Sequence, residues 1–224
     1  MRASLAVADI GMQRMLDKLA PGISEQALWA ELHHANIELG GEWIETRLLS
    51  SGPRTNPWFQ EASERRIEAG DLVCFDTDMV GPYGYCSDVS RAFLCGDGPA
   101  SSEQRSLYAL AVEQVEHNTA LLGPGLEFRD YTTRAWRIPA RFHEQNYGCI
   151  AHGVGMVDEW PAIYCDLNDP LLQDGVFAPG MTVCVESYIG EVGGRQGVKL
   201  EQQVLITATG RETLSRFALE AKLL

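Results

Sequence analysis

Residues 72–80, LVCFDTDMV, place two aspartates inside an otherwise apolar stretch. Side chains alternate along a strand, so Asp76 and Asp78 are predicted to share one face of a buried strand. Two like charges in a half-buried place repel each other unless a positive group lies between them. The pair therefore indicates either an edge strand with one wet face or a metal site, and these residues alone do not separate the two.

The composition is typical of a globular protein. The 224 residues are 45% apolar, which is enough for one large domain or two smaller halves. No apolar run reaches the length of about 18 residues that predicts a membrane span. The net charge of −13 argues against nucleic acid as a partner, because phosphate binding needs clustered lysines and arginines. Residues 1–20 carry charges at helical spacing and predict an amphipathic helix rather than a signal peptide.

The number and spacing of the cysteines indicate the cellular compartment of the protein. The six cysteines form no CxxC pair and lie mostly in apolar, strand-like surroundings. Disulfide frameworks are typical of small, cysteine-dense secreted chains. The sequence therefore predicts reduced, buried thiols in a cytoplasmic protein.

Two short patterns occur twice in the same order. LAPGI at 19–23 matches LGPGL at 122–126, 103 residues later, and a helix is predicted before and after each copy. GDLVCFD at 70–76 matches GMTVCVE at 180–186, 110 residues later. The similar offsets predict two pseudo-symmetric halves, about 1–100 and 101–224, each with two helices followed by antiparallel strands. Such a symmetry brings Asp76 or Asp78 and Glu186 to one central place.

A predicted hairpin adds another acid. The turn in MVGPYGYC sends the chain back as SDVSRAFL, so a hairpin that closes near residues 81–84 returns Asp88 beside Asp78. Arg91 follows on the same strand, where we expect it to orient or neutralise a carboxylate. The alternative for Asp88 is an ordinary aspartate at the end of a turn.

The second half offers a matching hairpin and one histidine. Glu186 and Glu201 end two strands joined by the glycine-rich loop GEVGGRQG, so each arm carries one inward acid. His152 stands in CIAHGVGM, where the glycines allow backbone to approach a site closely. The alternative is a core histidine. The other four histidines lie in helical or polar segments.

Five carboxylates and one imidazole are thus the candidate metal ligands. They are Asp76, Asp78, Asp88, His152, Glu186 and Glu201. This oxygen-rich set suits Mn, Fe, Co or Zn rather than copper or an iron–sulfur cluster. The number of ligands is sufficient for two ions bridged by carboxylates, which usually lie about 3.5–4 Å apart.

The motifs carry a family resemblance. DTDMVGPYGYCSDVSR, AHGVGM, PGMTVCVES and GVKLE resemble, in the same order, the motifs of the pita-bread metallopeptidases. That family includes methionine and X-prolyl aminopeptidases, prolidase and creatinase. The resemblance implies an α+β pita-bread fold, with antiparallel sheet flanked by helices, as a single catalytic domain over residues 1–224. It also implies that the six candidates hold a dinuclear metal centre.

The chain departs from the peptidase pattern where histidines are expected. Peptidases carry a histidine soon after HGxG, but HGVGMVDEWP has Asp158 and Glu159 instead. Trp58 holds the approximate place of a second histidine, and Ser187 replaces the proline after the fourth ligand. In the family these histidines orient the peptide carbonyl and move protons, so their loss argues against peptidase activity.

The same departures resemble the lyase branch of this fold, which splits dimethylsulfoniopropionate into dimethyl sulfide and acrylate. The resemblance rests on the doubled DTD, on GPRTNPW and on GMVDEW. It implies a small-molecule substrate, two divalent transition-metal ions (Fe, Mn, Zn or Co) and Asp158 as general base. Aromatic faces hold sulfonium cations well, and the candidates are Trp58, Tyr83, Tyr85, Tyr147 and Trp160. Core packing for each aromatic residue, and an exposed loop for Asp158, are the alternatives.

Two other functions remain open. One is a metallo-aminopeptidase or X-Pro dipeptidase, and the other is a catalytically silent relative. In most relatives an N-terminal domain precedes the catalytic half and takes part in dimerisation. The sequence begins with what resembles the first helix of that half, so we expect this domain to be absent, either in a short natural form or in a truncated chain. Whether the protein forms a homodimer stays open.

Overall fold

A computed structural model describes residues 1–224 as helices packed on antiparallel sheets. The helices are α1 (Arg2–Lys18), α2 (Glu25–Glu38), α3 (Ser102–Leu121) and α4 (Phe128–Arg134). The strands are β1 (Trp43–Ile44), β2 (Leu49–Ser51), β3 (Leu72–Asp76), β4 (Met79–Val80), β5 (Cys86–Ser87), β6 (Ser90–Leu94), β7 (Cys149–Gly153), β8 (Ala162–Tyr164), β9 (Thr182–Ile189), β10 (Val198–Ile206) and β11 (Arg211–Thr213).

The strands form three sheets. Their orders are β1-β4-β5, β2-β3-β6 and β11-β10-β9-β7-β8. Every strand pair is antiparallel, so the chain has the predicted α+β architecture. No helix combines the length and the apolar character that crossing a bilayer requires.

Local sequence signals account for the helix boundaries. The Ser24 hydroxyl accepts a hydrogen bond from the Ala27 N–H and so caps the N-terminus of α2. Ser101 and Gln104 form a reciprocal capping box at the start of α3. Leu28 is buried on the inner face of α2, whereas Leu39 lies just beyond the helix and is exposed.

Equivalent hydrogen bonds recur in the two halves. The N–H of Gly22 donates to the Ile67 carbonyl at 2.8 Å, and the N–H of Gly125 donates to the Phe177 carbonyl at the same distance. Both glycines have positive φ, 94° and 87°, a conformation that side chains with a β-carbon rarely adopt. The repeated Pro-Gly sequence therefore makes the same turn twice, each time between two helices.

Two apolar cores lie between the helices and the sheets. Met12, Leu28 and Phe75 belong to the core between α1, α2 and the β2-β3-β6 sheet. Tyr108 and Val185 belong to the core between α3 and the five-stranded sheet. The cysteines form no disulfide and five of the six are buried, as predicted.

The aspartate-bearing stretch is not one strand, which corrects the prediction for residues 72–80. β3 ends at Asp76, and β4 begins at Met79 in a different sheet. Asp78 lies in the connection with a φ of 35°, so the simple alternation of side chains does not apply to it. The Glu45 N–H donates to the Asp78 carbonyl, and the Thr46 hydroxyl donates to its carboxylate.

The segment 52–63 is fixed to α2 through one buried carboxylate. Glu25 is fully buried and accepts hydrogen bonds from both the N–H and the hydroxyl of Ser51 and of Ser63. Arg54 forms an ion pair with the same carboxylate. A buried carboxylate with this many partners is strongly held, and it fixes both ends of the segment that carries Trp58.

We predict that Glu25→Ala lowers the free energy of unfolding by about 3–5 kcal/mol, because it leaves Arg54 and several donors without their partner. Urea unfolding followed by circular dichroism measures the change. The control is Glu38→Gln, which removes an exposed ion pair with Arg14 and should leave the midpoint unchanged. Equal midpoints for all three proteins would contradict this role of Glu25.

Candidate metal centre

Two glutamates lie directly opposite each other on neighbouring strands. Glu186 of β9 pairs with Glu201 of β10 in the antiparallel register, and both side chains are buried. Like charges at directly opposed positions destabilise a sheet unless a cation compensates them. The sequence predicted Glu201 at the end of its strand. β10 instead continues to Ile206, so Glu201 lies within the strand.

The aspartates of the first half reach the same place from the other sheets. Ligand atoms of Asp76, Asp78 and Asp88 lie within 4.8 Å of one another, and those of Asp76, Glu186 and Glu201 do so as well. The predicted return of Asp88 beside Asp78 is observed, because the hairpin pairs Met79 with Ser87. All five acids are buried.

His152, at the end of β7, completes the group. Its Nε2 lies 3.4 Å from both Glu186 Oε1 and Glu201 Oε1, and 3.5 Å from Asp88 Oδ2. Nδ1 lies 3.2 Å from the Gly153 carbonyl, which assigns the proton to Nδ1. The Nε2 lone pair then faces three carboxylate oxygens without a hydrogen-bond partner, which is the arrangement of a metal-binding imidazole.

The six predicted ligands therefore converge, and their donor atoms fit divalent cations. Oxygens of Asp76, Asp88 and Glu201 are buried without hydrogen-bond partners, and so is His152 Nε2. Such orphaned groups are costly unless an ion binds them. Oxygen-rich donors with one imidazole match Mn, Fe, Co or Zn.

Lys199 is a buried cation within the group. Its Nζ donates to Asp76 Oδ2 at 2.7 Å, to Glu186 Oε2 at 2.5 Å and to Ser90 Oγ at 2.6 Å. Sequence reasoning missed it, although Lys199 stands two residues before Glu201 on the same strand face. Five ionised carboxylates and one ammonium carry a net charge of −4, which two divalent cations balance.

The buried acids differ in the direction in which their pKa values are shifted. Burial, followed by the charge of Glu201, raises the pKa of Asp76 to about 6 and that of Glu186 to about 8. Burial also raises the pKa of Asp88 well above its usual value. Burial opposes ionisation of Glu201 too, but the charge of Lys199 overcomes it and lowers the pKa of that carboxyl.

Arg91 does not have the predicted role. It is buried, but its guanidinium donates to the backbone carbonyls of Ser90, Glu201 and Phe217 and to the Gln202 side chain. The strand face on which Arg91 lies points away from the acids. The positive charge that the sequence analysis assigned to Arg91 is supplied by Lys199 instead.

Asp158 lies beside the cluster. Its side chain is only 3% exposed, and its Oδ1 is 3.7 Å from His152 Nδ1. Oδ1 accepts from the Glu159 N–H, whereas Oδ2 is buried without a partner. A β-carbon at Gly153 would collide with the Trp160 carbonyl, so this glycine allows the loop to bring Asp158 close. Burial raises the pKa of Asp158 to about 7.

Of the five predicted aromatic residues, three lie at the cluster. The rings of Trp58 and Tyr147 are 5.5 Å and 5.6 Å from Lys199 Nζ. Trp160 and His152 line an open pocket of about 400 Å³. Tyr83 and Tyr85 lie instead in the turn between β4 and β5, where Tyr83 is 82% exposed and neither ring has a polar or aromatic contact with the cluster.

Two more potential donors escaped the sequence analysis. Cys184 Sγ lies within 4.8 Å of ligand atoms of Asp88, His152 and Glu201. Glu159 Oε2 is 3.9 Å from His152 Nε2, on a half-exposed side chain. Cys184 is two residues before Glu186, so the alternation of β9 was the available signal. Glu159 has a φ of 62°, which no sequence pattern predicts.

The fold and the cluster define a class: an α+β protein with a buried, carboxylate-rich centre suited to divalent metals. Comparison with known proteins agrees with it, since metallopeptidase family M24 matches residues 1–208. The chain belongs to this family. The predicted pita-bread fold is confirmed by the Xaa-Pro dipeptidase structure from Bacillus anthracis, with a TM-score of 0.82 and 27% identity, over 98% of this chain and 60% of that one.

Two curated relatives are more similar in sequence. The dimethylsulfoniopropionate lyase DddP of Roseovarius nubinhibens is 46% identical over 90% of this chain and 45% of its own length. The protein of the same name from Roseobacter denitrificans is 41% identical over 100% of this chain and 52% of its own length. The chain thus spans about half the length of these lyases.

We predict that Mn²⁺ raises the thermal midpoint of the metal-free protein by about 5–10 °C at 100 times its dissociation constant, a gain of about 2.7 kcal/mol. Glu201→Gln should remove most of this shift, because it removes a carboxylate that faces His152 and Lys199. Scanning calorimetry with metal analysis measures both.

The matched control is Asp130→Asn, which changes an exposed acid on α4 and should keep the wild-type shift. The assignment of the cluster fails if Mn²⁺, Fe²⁺, Co²⁺ and Zn²⁺ all leave the wild-type midpoint unchanged. It also fails if Glu201→Gln responds like the wild type.

Proposed function

We propose that the protein is a metal-dependent lyase that cleaves dimethylsulfoniopropionate, or a similar sulfonium carboxylate, into dimethyl sulfide and acrylate. The observation that carries this proposal is the buried Asp158 carboxyl, 3.7 Å from His152, in a cluster whose one imidazole is His152 itself. The similarity to two dimethylsulfoniopropionate lyases supports it. The five buried free thiols support a cytoplasmic location.

In this proposal, Asp76, Asp78, Asp88, His152, Glu186 and Glu201 hold two divalent ions. The bound ions supply positive charge for the substrate carboxylate and for the negative charge that develops next to it. Lys199 holds Asp76 and Glu186 in place with short hydrogen bonds. The residues 1–224 act as one catalytic domain.

Asp158 is the general base of the elimination. Its unpartnered Oδ2 takes the proton from the carbon next to the substrate carboxylate. The electron pair of that C–H bond forms the double bond of acrylate, and the electron pair of the C–S bond leaves with the sulfur as neutral dimethyl sulfide. Burial raises the pKa of this carboxyl to about 7, so it binds a proton more readily than an ordinary aspartate does and is a better general base.

The residues of the cluster are less suited to peptide hydrolysis than to elimination. Peptide hydrolysis on this fold uses histidines around the metals, but Asp158 and Trp58 stand at the corresponding places in this chain. Trp58 is buried with its ring over Lys199. Its indole N–H can donate a hydrogen bond but does not titrate near neutral pH, so Trp58 cannot replace a histidine as acid or base. Elimination needs one base and a stabilised carboxylate, which this cluster supplies.

We predict that the metal-loaded protein releases dimethyl sulfide from dimethylsulfoniopropionate, and that Asp158→Asn lowers kcat about 100- to 10,000-fold with unchanged metal content. Gas chromatography of the headspace and metal analysis measure these effects. The control is Asp174→Asn, which changes an exposed aspartate paired with Arg129.

An X-Pro dipeptide serves as the competing substrate. Cleavage of the dipeptide without release of dimethyl sulfide would contradict the lyase proposal and favour a peptidase. Retention of full activity in Asp158→Asn would exclude this residue as the base.

A further inference from the structure

Two of the predicted substrate-binding rings, those of Trp58 and Tyr147, each have one face directed at a cation, and we call these their inner faces. Lys199 Nζ lies over the ring of Trp58 at 5.5 Å and over that of Tyr147 at 5.6 Å. Its hydrogen bonds to Asp76, Glu186 and Ser90 keep the ammonium there. A second cation beside it is repelled, so a sulfonium group cannot use these inner faces.

A third ring continues the aromatic group outward. The Phe59 ring centroid is 5.5 Å from that of Tyr147 and 6.3 Å from that of Trp58. Phe59 is 59% exposed, whereas Trp58 is buried, so Phe59 forms the outer edge of the group. Its ring meets the Tyr147 ring at 60°, which leaves two aromatic surfaces at an angle to each other.

The backbone holds Phe59 in an unfavourable conformation. Its φ is 69°, a conformation that is rare and strained for a residue with a β-carbon. The flanking segment is fixed on both sides, because Glu25 binds Ser63 and the Asn56 amide donates to the carbonyls of Glu191 and Gly194. The contacts with Trp58 and Tyr147 leave Phe59 59% exposed, so burial alone does not explain why this ring is held in a strained conformation.

We infer that Phe59 and Tyr147 form an outer aromatic clamp for the sulfonium group, and that Lys199 fixes the direction in which the substrate lies. This inference rests on the proposed function. The carboxylate end of the substrate points inward, toward the metal ligands and the positive charge of Lys199. The sulfonium end points outward, where its methyl groups contact the exposed ring of Phe59.

The orientation suits the proposed chemistry. The carbon that loses its proton is next to the carboxylate, so it lies on the inner side near the cluster that includes Asp158. The sulfur departs from the outer side as a neutral molecule, for which a ring that favours cations has lower affinity. Phe59 is thus a specificity residue, and the proton transfer does not involve it.

The test compares two unreactive probes on the metal-loaded protein by isothermal titration calorimetry. 3-(Trimethylammonio)propionate carries a cation in place of the sulfonium, and 4,4-dimethylpentanoate has the same shape as this probe without the positive charge. We expect the wild type to prefer the cationic probe. Phe59→Leu should lower that preference about two- to fivefold, because it keeps an apolar side chain but removes the aromatic face.

Phe59→Tyr restores a ring and should retain the wild-type preference. Trp43→Leu, which removes a 54% exposed ring on β1, should retain it as well. Unchanged preference in Phe59→Leu overturns the clamp, whereas the same loss in Trp43→Leu shows a general surface effect and also overturns it. Because the wild type is assayed separately for dimethyl sulfide, the clamp can fail while the lyase proposal stands.

Discussion

The structure depends on the compensation of negative charge in one buried place. Glu186 and Glu201 face each other across β9 and β10, and three aspartates reach the same point from the other sheets. Lys199 is the one fixed cation among them. Carboxylates in such surroundings either take up protons or bind cations. The raised pKa values of Asp76 and Glu186 express this cost, and divalent ions remove it.

The topology explains why the acids meet. The connection that carries Asp78 leaves one sheet and enters another, so one short stretch supplies ligands from two directions. The second half adds a long hairpin whose strands continue past the acids on both sides. Function then follows from the residues around the ligands. Asp158 provides a buried base on one side, and Trp58, Phe59 and Tyr147 provide an aromatic surface on another.

The sequence predicted much of this arrangement, because alternation and turn residues are local signals. The six candidate ligands and the repeated Pro-Gly turn follow from such signals. The errors have physical causes. Asp78 takes a positive φ that no pattern of alternation reveals, and Arg91 turns toward backbone carbonyls because its strand face points away from the acids. Lys199 and Phe59 were missed because a lysine or an exposed ring has meaning here only through its spatial neighbours.

The most direct test of the account is a crystal structure of the metal-loaded protein with anomalous diffraction data at the absorption edge of the bound metal. We expect two anomalous peaks, about 3.5–4 Å apart, among the carboxylates that meet between β3, β9 and β10, and we expect His152 Nε2 to point at one of them. A contradictory result would be no anomalous density at this place while Lys199 alone bridges the acids. Ions bound only at exposed carboxylates elsewhere would contradict it equally.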